Sequence, residues 1–283
     1  MLKAIVLDVD GVIVGKRKGF NFPNPHGEVL EFLKKIRLKG IPVILCTAKF
    51  SFAIEEIIKK SGLKNPHIAE RGALIYDLLE KKVIKSSPLL KELAKQIILS
   101  AIENNIFVEA FTQKDYFIHK GQNEEILKKR VAILQTNPKI IDFNSDIFFP
   151  KSILKILFTA RDENDKKAIE KISSSFKDKI ETFWTMHPSS LPLEYFSIAA
   201  VGVSKGEALK EVAQNLNISL DNVLAVGDTL GDWEFMKVCK YVGTLENAEE
   251  ELKKMVKLKG ENSFIGPSVD NHGIIKIINH FVK

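Results

Sequence analysis

The chain has 283 residues, 45% of them hydrophobic, a length and composition that favour two domains, or one large one, with ample material for buried cores. Its 42 basic against 36 acidic side chains leave a net charge of +6, which leans toward anionic ligands, yet no Arg/Lys run is interleaved with aromatics as a nucleic-acid groove requires. Asp8 and Asp10 interrupt the first apolar stretch, and nowhere do about 18 uncharged apolar residues run together, so neither a signal-peptide core nor a membrane span is expected.

In chain order, the first apolar run, residues 4–7, has the character of a buried parallel strand and ends at Asp8-Val9-Asp10-Gly11-Val12. A helix is expected over about 27–39, and a second buried strand over 41–45 ends at Cys46-Thr47-Ala48-Lys49. A helix over about 51–61 stops at Gly62, and residues 73–76 and 83–85 read as a hairpin. From about 85 to 195 the pattern changes: a helix over 88–104, an antiparallel pair at 107–111 and 116–119, and a helix over 124–134. A strand at 153–158, a helix over 163–176 and strands near 180–186 and 193–198 follow. The first pattern then returns, with a helix from Lys205 to about Asn215 whose Ala208, Leu209, Val212, Ala213 and Leu216 share one face. A strand at 223–226, a short helix over 232–238, a strand at 241–242 and helices over 247–255 and 274–281 complete the chain. Strands alternating with helices imply parallel pairing through right-handed crossovers. The expected fold class is therefore α/β: a Rossmann-like parallel-sheet core in two segments, 1–84 and 196–283, with an inserted α+β domain over 85–195.

In open α/β sheets ligands bind outside the carboxyl ends of the strands, where Asp8 and Asp10 stand. Two acids one residue apart can divide the work, one as nucleophile or metal ligand and the other as proton carrier. Thr47 places a hydroxyl at the end of the second strand. Ser204 and Glu207 have the spacing of a capping box, which puts Lys205 in the first helical turn. Gly227-Asp228-Thr-Leu-Gly-Asp232 then adds two carboxylates after the strand at 223–226.

This ordered set resembles the haloacid dehalogenase superfamily of phosphohydrolases over nearly the whole chain. The long insert between Thr47 and Lys205, with Gly72-Ala-Leu-Ile-Tyr-Asp77 before it and Gly273-Ile274 near the C-terminus, looks like the type IIB capped subgroup. The resemblance implies a Mg²⁺-dependent phosphatase acting on a sugar phosphate or another small phosphorylated metabolite through an aspartyl-phosphate. In that scheme Asp8 is the nucleophile, Asp10 the general acid and base, and Thr47 and Lys205 hold the phosphoryl oxygens. Mg²⁺ needs oxygen ligands and keeps several waters, so few carboxylates suffice. Asp8, Asp228 and the Asp10 carbonyl would bind it, with Asp232 acting directly or through water.

Ala48, Lys49 and Arg71 are the implied substrate contacts. The subgroup often has Thr-Gly-Arg where this chain has Thr47-Ala48-Lys49, and asparagine is common at the positions of Arg71 and Gly231. The inserted cap is expected to recognise the organic half of the substrate, with Arg130, Lys151, Arg161 and His187 as candidates, and to close about hinges near Lys85 and Ile198. A phosphomutase and a non-catalytic phospho-ligand-binding protein are the alternatives, whereas the dehalogenase branch lacks a second aspartate. Cys46 and Cys239 are too few and too far apart for a disulfide framework or zinc site and suit packed thiols in a cytoplasmic protein. The six histidines are dispersed along the chain and suggest no metal-binding pair. No nucleic-acid or membrane partner is expected, and the oligomeric state is open.

Overall fold

The computed structural model describes residues 2–145, 147, 149–186 and 190–282. It divides into two compact units, Met1–Lys85 with Ser204–Lys283, and Ser86–Val203. The chain begins with β1 (Ala4–Leu7), α1 (Gly27–Leu38), β2 (Val43–Leu45), α2 (Glu55–Ser61), β3 (His67–Ala69), β4 (Leu74–Asp77) and β5 (Lys82–Ser86). The second unit contains α3 (Lys91–Glu103), β6 (Phe107–Phe111), β7 (Tyr116–His119), α4 (Glu124–Leu134), β8 (Lys139–Ile141), β9 (Lys155–Ala160), α5 (Glu163–Ser174), β10 (Ile180–Met186) and β11 (Glu194–Ala200). The return segment holds α6 (Lys205–Asn215), β12 (Val223–Val226), α7 (Trp233–Met236), β13 (Tyr241–Leu245), α8 (Glu250–Lys257), β14 (Ser263–Gly266) and α9 (Gly273–Phe281).

The first unit is built on a parallel sheet in the order β14-β13-β12-β1-β2. Every residue of β1, β2 and β12 is buried, which is why these strands read as unbroken apolar runs. Side chains from β1, β2 and β12 join Leu209 and Val212 of α6, Phe235 of α7, and Leu252 and Val256 of α8 in one core. Burying a side chain of this size contributes roughly 1.5–3 kcal/mol. From β1 the chain runs to β2 on one side, and β12 later adds to the other, so the strand order reverses between β1 and β12. Such a reversal opens a crevice at the carboxyl ends of the two strands. Leu7 pairs with Val226 across it, so Asp8 and Gly227-Asp228 leave the sheet side by side. Beyond β2, a Cys46–Ile68 bridge and the Thr47 N–H donated to Ile68 O at 3.0 Å attach β3, which begins a three-stranded sheet β3-β4-β5.

The second unit has a six-stranded sheet, β10-β11-β9-β6-β7-β8. Its core joins Val108, Ala110, Ile156, Phe158, Phe196 and Ile198 to the apolar side chains of α3 and α5. The unit runs on to Val203 because β11 is hydrogen bonded to both β9 and β10, and a break after 195 would cut that strand. β3, β8 and β14 were not foreseen: two have three residues, and β8 and β14 lie at sheet edges without a fully buried run. No helix among the described residues is long and apolar enough to cross a membrane.

Candidate active site

The site grows from the end of β1, where the Asp8 N–H donates to Val226 O at 2.9 Å and the carboxyl group is buried. Lys205, on the first turn of α6, is buried as well; the Ser204 hydroxyl caps that helix by accepting from Glu207 N at 3.0 Å. A buried ammonium needs partners, and its Nζ donates to Asp8 Oδ1 at 2.6 Å and to Asp232 Oδ1 at 2.7 Å. Burial works against the charge of Lys205, but Asp232 and Asp8 outweigh it and raise its pKa above the ordinary value, so it stays protonated. The other oxygen of Asp232, Oδ2, accepts from Asp228 N at 3.1 Å, Thr229 N at 3.0 Å and Thr229 Oγ1 at 3.1 Å. Burial opposes its charge too, yet Lys205 and these donors hold its pKa below the usual carboxylate range.

Asp8 and Asp228 behave differently. Burial is the largest cause in both, and it overrides Lys205 with help from neighbouring carboxylates, pushing Asp8 up to about 7 and Asp228 up to about 8. Donor oxygens of Asp8, Asp228 and Asp232 all lie within 4.8 Å of one another. Three carboxylates thus face one ammonium, and a divalent cation would make up the difference in charge. The donors are all hard oxygens, the set that suits Mg²⁺ or Ca²⁺. Asp232 has both oxygens engaged by protein donors, so Asp8 and Asp228 are the better placed for direct ligation. Gly11 makes the approach of Asp228 possible: its φ is +75°, and a Cβ there would lie 1.9 Å from Asp228 Oδ2.

Asp10 lies outside that cluster by its side chain, which is 58% exposed and pairs with Lys49 Nζ at 2.9 Å. The Asp10 side chain therefore does not join the acidic set that could hold a cation. Thr47 is buried, and its Oγ1 accepts from Lys49 N at 3.1 Å, which leaves the hydroxyl hydrogen to donate elsewhere. Ala48 is half-buried between them. The Arg71 N–H donates to Thr47 O at 3.0 Å, and its guanidinium reaches Glu234 Oε2 at 3.5 Å. In the second unit Arg130 is buried against Glu109 at 2.6 Å, Arg161 pairs with Asp165 at 2.6 Å and Lys151 is exposed; His187 lies outside the described residues.

Three polar residues that brace the site escaped the sequence reading. Thr244 Oγ1 donates to Gly227 O at 2.8 Å, and Asn247 joins two loops by donating to Gly11 O at 2.9 Å and accepting from Val269 N at 2.7 Å. Thr229 forms a capping box with Asp232, a spacing visible in the sequence. The expectation of dispersed histidines also needs correction. His26 and His272 stack with ring centroids 4.5 Å apart, and Glu28 lies 3.2 Å from His272 Nδ1, an encounter of distant segments that spacing does not foretell.

A family model described as haloacid dehalogenase-like hydrolase matches residues 5–278. The chain is 24% identical to phosphatase YwpJ of Bacillus subtilis (strain 168), over 99% of this chain and 100% of that protein. A haloacid dehalogenase-like hydrolase from Bacteroides thetaiotaomicron shares the fold with a TM-score of 0.84 at 19% identity, over 99% of this chain and 100% of the other. The subclass IIB sugar phosphatase BT4131 superposes with a TM-score of 0.77 at 18% identity, over 99% and 98%.

Proposed function

The chain belongs to the haloacid dehalogenase-like hydrolase family, and from that membership and its site we infer a Mg²⁺-dependent phosphatase that hydrolyses a sugar phosphate or related small phosphomonoester through an aspartyl-phosphate on Asp8. It is a phosphoric monoester hydrolase, in line with the phosphatases it resembles. The observation that carries the reading is one buried aspartate at the sheet's switch point, bonded to a buried lysine and beside two further carboxylates. Reduced, buried cysteines at 46 and 239 suit a cytoplasmic protein.

A phosphomonoester dianion repels nucleophiles and leaves behind a poor alkoxide, and covalent catalysis divides that barrier into two steps. Asp8 attacks phosphorus as the bond to the leaving oxygen breaks, and Asp10 gives that oxygen its proton. Water then attacks phosphorus while Asp10 takes its proton; the bond from phosphorus to the Asp8 oxygen breaks, freeing inorganic phosphate and the carboxylate. Asp10 is given both transfers by its place in the family pattern; its carboxyl group stands outside the buried cluster and pairs with Lys49. Lys205 and Thr47 supply a fixed charge and a hydrogen bond for the phosphoryl oxygens. Asp8, Asp228 and the Asp10 carbonyl would hold Mg²⁺, which when bound offsets the clustered negative charge and orients the phosphoryl group.

The test is phosphate release from a panel of sugar phosphates and smaller phosphoesters, with Mg²⁺ and with EDTA. Turnover of at least one ester that EDTA abolishes and Asp8→Asn removes is expected. Silence across the panel would count against the reading.

A further inference from the structure

Lys49 is held at both of its backbone groups. Its N–H donates to Thr47 Oγ1 at 3.1 Å, and its carbonyl accepts from Glu70 N at 2.9 Å. Glu70 and Arg71 have φ 51° and 59°, left-handed backbone that persists only where the surroundings hold it, and the Arg71 N–H donates to Thr47 O beside them. The loop after β2 is thereby tied to the turn after β3, which anchors the root of the lysine. Its side chain, 25% exposed, sends Nζ to Asp10 Oδ1 at 2.9 Å. Asp10 stands on a tight turn of its own, in which Gly11 has φ +75° and donates its N–H to Val14 O at 2.8 Å. Its carboxyl group is mostly exposed, and among the described residues Lys49 is the one side chain that pairs with it. An exposed carboxyl group has several rotamers open to it, and a cation fixed at contact distance selects among them.

We propose that Lys49 is a positioning residue: its ammonium holds the Asp10 carboxyl group in the orientation from which the leaving oxygen receives its proton, so that Lys49 acts on the reaction through Asp10 and not by touching substrate. The role rests on the phosphatase reading, in which Asp10 carries that proton. Through its N–H the same residue occupies an acceptor site of the Thr47 hydroxyl, so the proton carrier and a phosphoryl-holding group are set from one anchored point. An ion pair this exposed adds little to stability, whereas a misplaced catalytic group loses up to about 100-fold in rate. Loss of Lys49 is therefore read in the proton-transfer step and hardly in folding.

The experiment compares kcat/KM for phenyl phosphate and p-nitrophenyl phosphate. The two share a ring, but phenolate is the poorer leaving group and depends more on a proton from Asp10; kcat/KM covers the steps up to phosphoryl transfer to Asp8, so hydrolysis of the intermediate does not enter. Lys49→Met is expected to lower the phenyl to p-nitrophenyl ratio about 10–100-fold, with a urea midpoint near that of the wild type, and Lys49→Arg to restore most of the ratio. In Asp10→Asn the ratio is already low, and adding Lys49→Met should lower it no further. Lys49→Gln decides the matter if Lys49→Met fails to fold. An equal loss on both esters, which a substrate or phosphoryl contact would give, overturns the proposal, as does an unchanged ratio or a further fall in the Asp10→Asn background. In each of those cases release from p-nitrophenyl phosphate by the wild type leaves the phosphatase reading standing. If the wild type hydrolyses neither ester, that reading fails and the proposal falls with it.

Discussion

Lys205 is the residue on which the charges of the site balance. Removing it leaves Asp8 and Asp232 buried without their shared partner, and breaking a buried ion pair from one side costs roughly 3–5 kcal/mol. Lys205→Met is therefore expected to lower the urea midpoint clearly as well as turnover; a variant as stable as the wild type would show that the ammonium is not the counter-charge described. Asp8 and Asp228 give a second expectation. The unfolded chain releases both protons near the ordinary 3.8, while the folded protein keeps them to about 7 and about 8, so without a cation stability falls as pH rises through that interval. Mg²⁺ must displace those protons, so its affinity should rise over the same interval. Isothermal titration in buffers of differing ionisation heat would detect the released protons, and a pH-independent affinity would contradict the assignment. At this scale residues 8, 205, 228 and 232, all named from the sequence, lie together, whereas the Asp10 side chain, named with them, stands apart on Lys49. The sequence was silent on how Asp232 divides its oxygens, and on the Asn247 and Thr244 braces, because those bonds join residues distant along the chain.

The elements that position the site are short. β1, β2 and β12 have four, three and four residues, all buried on both faces, so their sequences are continuous apolar runs and were legible. β14 and β8 are partly exposed edge strands of four and three residues, and pairing with a neighbour rather than local pattern makes them strands. Helix ends shifted for a related reason. The expected helix over 51–61 divides into a 3-10 turn at Ser51–Ile54 and α2, and the helix expected from Pro88 begins at Lys91 after Leu90 in extended geometry. The turn after β1 offers the sharpest test here. Gly11→Ala would force a non-glycine residue into positive φ, at roughly 1–3 kcal/mol, and drive its methyl group into Asp228. The expected result is Mg²⁺ binding weakened about 10–100-fold, the loss typical when a metal ligand is displaced by its support, on top of that cost in stability. Unchanged Mg²⁺ affinity would mean that Asp228 is free to move and is not fixed by this turn.

For the molecule as a whole, two units with separate cores come from three stretches of sequence. β11 has the same buried apolar character as a core strand, and its pairing with β9 and β10 places it in the second unit. Mg²⁺ bound to the folded state alone should stabilise the protein by about 2.7 kcal/mol at a hundred times its Kd, visible as a raised thermal midpoint. Asp228→Ala should abolish that shift, and a shift that survives would place the ion elsewhere. The most direct test of the account concerns the covalent step. Enzyme quenched during turnover is treated with a hydride reagent, which converts an aspartyl-phosphate to homoserine, and the modified peptide is located by mass. Homoserine at position 8, dependent on substrate and Mg²⁺ and missing in Asp8→Asn, is the predicted result; turnover with the modification at another residue, or with none, would contradict it.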